Sequence, residues 1–282
     1  MSTTPAEARP RRAIIIAAGR GRRLSPYTDT MPKCLVPVGA HSILGWQLEA
    51  FAAAGIEEVV LVRGYLGDVL TQRLLAGELD DVYRGRFRFV DNPEHETNNV
   101  LLSLFCARAE FDGPLLVTYS DIVFTPAVVQ RLMETPADIG LVIDRAFADI
   151  YEGRTEHPLD EAEVADLDER GLVRRVGKRA LPAAEAWGEF IGLAKLSAQG
   201  TRWIAEAWDQ VSAAHAGRHP APFQRAARFR NAYLTDLLQH LIDGGRPLTP
   251  VAIHGAWREI DTGQDLARAR QLLESAQNKE WK

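Results

Sequence analysis

Cysteine is scarce in this sequence, and long apolar runs are absent. The 282 residues include two cysteines, Cys34 and Cys106, which cannot build a disulfide framework or a cysteine-rich metal site. No segment approaches the roughly 18 uncharged apolar residues of a membrane-spanning helix, and the first residues have no apolar core typical of a signal peptide. We therefore expect a cytoplasmic protein that has a flexible tail at residues 1–12 and no membrane partner.

An excess of basic charge is also absent. The chain has 33 Lys and Arg residues against 38 Asp and Glu residues, a formal net charge of −5. Proteins that follow a nucleic-acid backbone present a stripe of cations, and no such run occurs here. The seven histidines are scattered, apart from His215 and His219, which stand four residues apart, and no Ser-His-Asp or Cys-His arrangement is apparent. These absences argue against nucleic-acid binding and covalent hydrolysis.

The first half of the sequence alternates strand-like with helix-like segments. Strands are predicted in AIIIAA, EEVVLVRG, FRFVDN and PLLVTYSD, and helices in SILGWQLEAFAAAG, at 67–75 and in NNVLLSLFCARAEF. This alternation predicts the α/β class: a doubly wound, three-layer α/β/α domain with a mostly parallel central sheet. Loops that follow parallel strands meet at one edge of a sheet, so residues 19–23 and Asp121 are expected there together.

Residues 144–195 differ in character from the first half. They are rich in charge and contain short strand-like runs, LVRRVGK and EFIGLAKLS. We interpret them as a small inserted β patch, with loops over the site, within a single domain that spans 13–282. Two helices near 198–215 and 230–243 are predicted to follow, and a last helix is predicted to begin near Gln264.

The loop GRGRR, at 19–23 after the first strand, is the most informative stretch. Glycine lets a backbone approach a phosphate closely and adopt a positive φ. The loop is not a dinucleotide-binding fingerprint, because Leu24 stands where the third glycine belongs and no acidic residue ends the second strand. It is not a Walker A loop either, because the string GxxxxGK[ST] is absent. It therefore predicts a phosphate-binding loop of another kind.

Two cations and two carboxylates near this loop fit phosphoryl chemistry. A nucleoside triphosphate carries about four negative charges, and charge builds on pyrophosphate as it leaves. Arg23 offers a planar fork of donors there, and Lys33 offers a compact cation between the α-phosphate and an incoming anion. Asp121 ends a predicted strand, and Asp261 precedes the last helix. A pair of carboxylates beside phosphates suits Mg²⁺.

The stretch AAGRGRRLSPYTDTMPKCLVPV resembles the signature of the sugar-phosphate and choline-phosphate nucleotidyltransferase superfamily, and it departs at Arg22, where the family usually has Ser or Thr. The matching positions are Gly19, Gly21, Arg23, Leu24, Pro26, Thr28, Pro32, Lys33 and Leu35. The resemblance implies that Arg23 and Lys33 are catalytic and that Mg²⁺ is the cofactor, held by Asp121 and Asp261. It also implies a nucleotide-binding set in this loop, namely Ala18, Gly19, Gly21 and Arg22.

The stretch DNPEHETNNVLLSLFCARAEF resembles the choline-phosphate cytidylyltransferase branch, in which an Asn-Asn pair opens the helix beneath the base. Asn98 is predicted to be the N-cap of that helix, because an Asn side chain accepts a hydrogen bond from the first turn. Asn98, Asn99 and Ser103 are predicted to bind nucleotide, with Asn99 or Ser103 at the pyrimidine edge. The pair favours CTP over other nucleotides.

The acceptor is expected to bind in the inserted patch. Glu189 is the first candidate, because GEFIGL resembles the family string whose Glu faces the acceptor. Choline would be held by aromatic rings, and Trp187 with Tyr151 would provide two walls. A small phosphonate would instead be held by two cations, such as Arg154 and Lys178. The sequence leaves these two kinds of acceptor nearly level.

The expected function is Mg²⁺-dependent cytidylyl transfer from CTP to a small phosphorylated alcohol or phosphonate, such as phosphocholine or an aminoethyl- or hydroxyethylphosphonate, with release of pyrophosphate. No general base is needed, because a phosphate monoester is largely dianionic at neutral pH. Two alternatives stay open: a sugar-1-phosphate nucleotidyltransferase, and a catalytically silent, nucleotide-binding regulatory subunit. Glycosyl transfer is disfavoured, because Asp121-Ile-Val lacks the second carboxylate of a D-x-D motif. A homo-oligomer is compatible with the sequence.

Overall fold

The computed structural model describes residues 9–216 and 221–275. Its first half alternates strands with helices as the sequence predicts: β1 (Arg12–Ala17), β2 (Pro37–Val38), β3 (His41–Ser42), α1 (Ile43–Ala53), β4 (Glu58–Arg63), α2 (Gly67–Leu75), β5 (Arg86–Asp91), α3 (Val100–Cys106) and β6 (Leu115–Tyr119). Arg12 already belongs to β1, so the described part of the predicted tail is residues 9–11. Residues 1–8 lie outside the described residues.

The second half supplies a mixture of antiparallel strands and helices. Its elements are β7 (Ile122–Phe124), α4 (Pro126–Glu134), β8 (Ile139–Asp144), α5 (Phe147–Tyr151), β9 (Glu163–Leu167), β10 (Val173–Lys178), β11 (Gly188–Leu196), α6 (Ala198–Ala214), α7 (Leu234–Asp243), β12 (Thr249–Ile253), β13 (Trp257–Glu259) and α8 (Gly263–Ser275). The last three helices therefore lie where the sequence predicts them, although α7 begins four residues later because 229–231 form a separate 3₁₀ turn.

Nine of the described strands form one large central sheet, whose main path has the order β10-β9-β11-β6-β1-β4-β5. Strands β6, β1, β4 and β5 run parallel to one another. Strand β11 pairs antiparallel with both β6 and β8, and β12 joins parallel to β8. The predicted fold class, a mixed α/β domain around a mostly parallel sheet, is confirmed.

The predicted β patch is not separate from this sheet. Strands β9 and β10 pair with each other and continue the central sheet through β11, which meets β9 at Gly188 and Glu189. Every residue of β11 is buried, and its pairing with β8 shifts register between Phe190 and Ala194. A strand that is buried on both faces shows no polar alternation, so the sequence could not distinguish an insertion from a central strand.

Helices cover both faces of the sheet. On one face, Ile14 and Ile16 of β1 pack into a core shared with α3, α6 and α7. On the other face, Ala13, Ile15 and Ala17 pack into a second core shared with α1, α2 and α4. Alternate residues of a strand point to opposite faces, so burial on both sides explains the unbroken apolar run. This is the expected three-layer arrangement.

The elements that carry the predicted site meet at one edge of the sheet. Strands β1 and β6 are parallel neighbours, so the loop that follows β1 and the residues that follow β6 lie side by side. Strand β13 pairs with β7, and Ile260 N donates to Asp121 O at 2.8 Å. This pairing brings Asp261 next to Asp121. Within the described ranges, no helix combines the length and apolar character needed to cross a bilayer.

Candidate active site

A cavity of about 380 Å³ opens at this edge of the sheet. Its walls are the glycine-arginine loop at 19–23, the start of α3, the end of β6, the start of β11 and residues around β13. The sequence-predicted site residues that line it are Ala18, Gly19, Gly21, Arg22, Arg23, Lys33, Asn98, Asn99, Ser103, Asp121, Lys178, Glu189 and Asp261. The structure thus brings the predicted catalytic, nucleotide-binding and metal-binding residues together.

The glycine-arginine loop needs Gly21 for its shape. The φ of this residue is 63°, a left-handed conformation that side chains disfavour. A Cβ at this position would lie 3.0 Å from Lys33 Cβ. Thr28 Oγ1 donates to Gly21 O at 2.9 Å and supports the loop from behind. Gly21 and Thr28 therefore shape the loop and make room for the stem of Lys33.

Lys33 is buried, and its ammonium group contacts both predicted metal ligands. Its Nζ lies 3.0 Å from Asp121 Oδ2 and also donates to Asp261 Oδ1. Arg23 donates to Asp261 Oδ2. Burial lowers the pKa of Lys33, but the charges of Asp121 and Asp261 outweigh burial, so the pKa is raised. Burial raises the pKa of Asp261, but Lys33, His157 and Arg23 together lower it to well below its usual range. Lys33 and Asp261 are therefore both charged at neutral pH.

The donor atoms around Asp121 and Asp261 fit a divalent cation. One ammonium nitrogen reaches both carboxylates, so they converge on a single point. Asp121 Oδ1 is buried and has no hydrogen-bond partner in the described part of the chain. One ligand atom each from His157, Glu259 and Asp261 also lie within 4.8 Å of one another. Carboxylate oxygens beside phosphate oxygens are the ligands that Mg²⁺ prefers.

The asparagine pair at the start of α3 divides its roles differently from the prediction. Asn99, not Asn98, is the N-cap: its Oδ1 accepts from Val100 N at 2.9 Å, and its Nδ2 donates to Asn231 O at 3.0 Å. A tertiary contact sets this register, since Asn99 N donates to Arg230 O. Two adjacent asparagines have equal capping chemistry, so the sequence could not decide between them.

Asn98 instead pairs with Asn92, which the sequence analysis did not identify. Asn92 Nδ2 donates to Asn98 Oδ1 at 2.9 Å, and Asn98 Nδ2 donates to Asn92 Oδ1 at 3.1 Å. Asn92 Nδ2 also donates to Ser103 Oγ at 2.9 Å. Asn92 is buried, and its hydrogen bonds fix the side chains of Asn98 and Ser103, which line the cavity. Asn92 directly follows β5, at the edge of the sheet where ligands of α/β proteins bind, and this position could have identified it from the sequence.

Glu189 lines the cavity, and its two carboxyl oxygens have different surroundings. Its Oε1 accepts from Tyr151 OH at 2.8 Å, whereas its Oε2 is buried and has no hydrogen-bond partner among the residues described. Burial and the charge of Glu259 raise the pKa of Glu189 well above its usual range. Lys178 also lines the cavity, and its Nζ donates to Glu161 Oε2 at 2.9 Å.

Tyr151 and Trp187 are not among the described residues that line the cavity, which corrects the prediction of a two-walled aromatic cage. Tyr151 is buried behind Glu189, to which its hydroxyl donates. Trp187 packs against the guanidinium of Arg145, whose Cζ lies 4.3 Å from the ring centre. Contacts within the protein therefore use the two rings that were expected to hold choline.

Arg154 lies outside the described lining as well, which corrects the predicted pair of acceptor-binding cations. Its side chain is 2% exposed and donates to Asp265 and Glu259. These partners lie far along the chain, so no local pattern revealed them. Of the predicted pair, Lys178 alone lines the cavity in the described ranges.

Residues 13–191 match the family model of the MobA-like NTP transferase domain. The chain belongs to this nucleotidyltransferase family. The CTP:phosphoglutamine cytidylyltransferase of Campylobacter jejuni is 31% identical to this nucleotidyltransferase over 260 residues, which are 90% of this chain and 97% of that protein. The CMP-5'-(3-aminopropyl)phosphonate synthase of Streptomyces rubellomurinus is 39% identical over 131 residues, which are 46% of this chain and 20% of that protein. The expected superfamily is confirmed.

The fold of the nucleotidyltransferase also matches a solved structure over almost its full length. The inositol-1-phosphate CTP transferase from T. maritima superposes with a TM-score of 0.72 at 18% identity, covering 97% of this chain and 99% of that chain. At this identity the likeness shows a shared fold and no more. It agrees with the sheet order and the two helical layers described above.

The nucleotidyltransferase carries a buried carboxyl group, Glu163 on β9, that the sequence did not indicate. Tyr119 OH donates to its Oε2 and Thr235 Oγ1 donates to its Oε1, each at 2.9 Å. Burial raises the pKa of Glu163 to about 7. Glu163 and Tyr119 both line the cavity. Nothing in the sequence links Glu163 to Tyr119.

Proposed function

We propose that this nucleotidyltransferase is a Mg²⁺-dependent cytidylyltransferase. It transfers CMP from CTP to a small phosphorylated or phosphonylated acceptor with an amide or amine tail, and it releases pyrophosphate. The convergence of Lys33, Asp121 and Asp261 beside the glycine-arginine loop is the observation that carries the proposal. Two relatives, named for CTP:phosphoglutamine cytidylyl transfer and for synthesis of a CMP-phosphonate, support CTP as the donor.

In the proposed reaction, a phosphate or phosphonate oxygen of the acceptor attacks the α-phosphorus of CTP. A bond forms between that oxygen and the α-phosphorus, and the bond from the α-phosphorus to the bridging oxygen breaks. The electron pair leaves with pyrophosphate. A phosphate monoester is already largely dianionic at neutral pH, so no base has to remove a proton.

Lys33 and Arg23 supply positive charge where the transition state needs it. Lys33 contacts the α-phosphate and the incoming oxygen, and Arg23 contacts the leaving phosphates through its fork of donors. Backbone N–H groups of the glycine-arginine loop surround the phosphates. Asp121 and Asp261 would hold Mg²⁺, which neutralises phosphate charge when it is bound. Without these cations the two carboxylates would repel a triphosphate.

Glu189 supports an acceptor with an amide or amine tail. Its Oε2 is buried without a partner in the described ranges, and a buried polar atom without a hydrogen bond costs free energy. An amide can hydrogen-bond with this carboxyl in either protonation state, and an ammonium group favours its ionised form. Phosphoglutamine and 3-aminopropylphosphonate, in the names of the two relatives, carry such groups. The quaternary nitrogen of choline has no N–H to donate.

The test is pyrophosphate release, measured with the four nucleoside triphosphates against a panel of acceptors. The panel contains phosphoglutamine, 2-aminoethyl- and 3-aminopropylphosphonate, phosphocholine and a hexose 1-phosphate. We expect the highest kcat/KM with CTP and an acceptor that bears an N–H group. A hexose 1-phosphate that exceeds every phosphonate and phospho-compound with a nitrogen tail would contradict the proposal. Intact CTP binding without turnover on any acceptor would instead indicate a regulatory subunit.

A further inference from the structure

Residues 150–157 pack on the start of helix α8, and we name them the clamp segment. Gln264 Oε1 accepts from Thr155 N at 2.8 Å, and Arg268 Nη1 donates to Glu152 O at 2.8 Å. Asp261 comes two residues before α8 begins. The clamp segment therefore fixes the end of the helix that lies beside this carboxylate.

Arg154 is the buried centre of the clamp segment, with a side chain that is 2% exposed. Its Nε and Nη2 donate to the two carboxyl oxygens of Asp265, at 2.7 and 3.0 Å. Its Nη2 also donates to Glu259 Oε2 at 2.9 Å. A planar guanidinium can make this two-pronged contact, whereas a lysine ammonium cannot. Arg154 thus joins β13, through Glu259, to α8, through Asp265.

Asp265 in turn holds the backbone at Asp261. Its Oδ2 accepts from Asp261 N at 3.1 Å and from Thr262 N at 2.9 Å. Asp265 N donates to Thr262 Oγ1 at 3.1 Å, which completes a reciprocal cap at the start of α8. The position of Asp261 therefore depends on a carboxylate whose charge is balanced by Arg154.

The clamp segment also places His157 between two carboxylates. His157 Nε2 lies 3.6 Å from Glu259 Oε2, and His157 Nδ1 lies 3.3 Å from Asp261 Oδ2. Loss of the Arg154 charge would leave Glu259 and Asp265 without their shared cation. Removing the partner of a buried carboxylate is strongly destabilising, so the carboxylate takes up a proton or the loop around it moves. Either change weakens the hold of Asp265 on the backbone at Asp261.

We propose that Arg154 is a positioning residue for Asp261 that acts through Asp265 and so sets the affinity of the site for a divalent metal ion. The inference rests on the proposed function, in which Asp261 binds Mg²⁺. It assigns Arg154 a role different from acceptor binding, because the guanidinium is turned toward α8. Groups that orient metal ligands from behind change metal affinity about 10- to 100-fold when they are removed.

The test compares the full chain with Arg154→Met and Arg154→Lys. Electron paramagnetic resonance measures Mn²⁺ binding in the presence of CTP, with Mn²⁺ and CTP alone as the baseline, and pyrophosphate release gives the kinetics. We expect Arg154→Met to weaken Mn²⁺ binding about 10- to 100-fold. At saturating metal, its KM for the acceptor should stay within about twofold of wild type. Arg154→Lys keeps the charge but loses the two-pronged contact, so its Mn²⁺ affinity should lie between the two.

Arg12→Met is the matched control. Arg12 begins β1, at the end of the strand opposite the glycine-arginine loop, and its guanidinium pairs with Glu58, Glu110 and Asp112. This substitution also removes a partly buried arginine from a network of carboxylates, but it leaves the clamp segment untouched. The variant should lose stability and keep the Mn²⁺ affinity of wild type.

Unchanged Mn²⁺ binding by Arg154→Met, shown to be folded by circular dichroism, would overturn the inference. A rise in the acceptor KM alone would also overturn it and would indicate an acceptor contact. If the Met variant does not fold, the Lys variant decides, and wild-type Mn²⁺ affinity in that variant overturns the inference. Failure of the proposed function looks different, because the wild-type chain itself would then show neither Mn²⁺ binding with CTP nor pyrophosphate release.

Discussion

Lys33 Nζ lies 3.0 Å from Asp121 Oδ2, although the two residues are 88 positions apart in the chain. The parallel pairing of β1 with β6 explains the contact. Lys33 lies in the segment that follows β1, Asp121 lies just after β6, and both segments are at the same edge of the sheet. The glycine-arginine loop, Lys33 and Asp121 therefore line the same cavity.

Lys33→Ala and Arg23→Ala are each expected to lower kcat/KM about 10²- to 10³-fold, because each removes a donor aimed at transition-state charge. Steady-state pyrophosphate release measures the effect, and circular dichroism checks the fold. Arg20→Ala is the matched control, since the Arg20 guanidinium lies 5.1 Å from the ring centre of Tyr65 and outside the described lining of the cavity. Near wild-type turnover in either folded variant would remove that residue from the mechanism.

Chelation of metal by EDTA should abolish turnover, and added Mg²⁺ should restore it. Asp121→Asn and Asp261→Asn keep the side-chain volume but remove a charged ligand, so each should lower kcat/KM at least about 10²-fold. Asp112→Asn, at an exposed position before β6, should behave as wild type. Turnover that persists in EDTA would show that the two carboxylates serve some purpose other than metal binding.

Glu163→Gln should change how stability depends on pH. Burial raises the pKa of Glu163 to about 7 in the folded protein, whereas an unfolded Glu titrates near about 4.3. The folded state binds more protons between these values, so this group makes the free energy of unfolding fall as pH rises through them. Gln cannot ionise, so the free energy of unfolding of the variant, relative to that of wild type, should rise by an amount on the order of 3 kcal/mol between pH 5 and pH 8.

Urea unfolding at pH 5 and pH 8 measures this effect of Glu163. The exposed Glu169→Gln is the control and should show the same difference between the two pH values as wild type. If Glu163→Gln also loses as much stability as wild type between pH 5 and pH 8, then Glu163 does not carry the raised pKa.

Asn92→Leu should weaken CTP binding through Asn98. The substitution removes the reciprocal amide pair and one hydrogen bond to Ser103, so the cavity-lining amide loses its fixed orientation. We expect the KM for CTP to rise about tenfold with little change in kcat, in line with the loss of one or two hydrogen bonds. Steady-state kinetics with CTP and with UTP measure the change in KM and the discrimination between the two nucleotides. A variant that discriminates between the two nucleotides as well as wild type does would separate Asn92 from base selection.

The location of the site could be predicted from the sequence because it follows from topology. Alternating strands and helices imply a parallel sheet, and a parallel sheet places the residues after β1 and β6 at one edge. The loop at 19–23 and Asp121 line one cavity at that edge, as expected. The apolar run of β1 likewise indicated burial on both faces, which the two helical layers confirm.

The roles of individual side chains could be predicted less well, because long-range pairing decides them. Asn98 and Asn99 are equivalent caps until Arg230 O sets the register. The residues near Arg154 in the sequence do not indicate a partner, so it was predicted to bind the acceptor. Its buried partner Asp265 lies 111 residues away. The sequence did not identify Glu163, because the role of a single buried Glu on a strand depends on the residues that pack against it.

The pairing of Arg154 with Asp265 has a consequence for redesigning the acceptor preference. Glu189 and Lys178, which the proposed function places near the acceptor, lie within residues 144–195, so exchanging that stretch between relatives would test whether it sets the acceptor preference. Arg154 lies inside the exchanged stretch, whereas Asp265 lies outside it. A graft that brings a different residue to position 154 would leave the buried Asp265 carboxylate without its cation, next to the backbone of Asp261. Arg154 and Asp265 must therefore be transplanted as a unit.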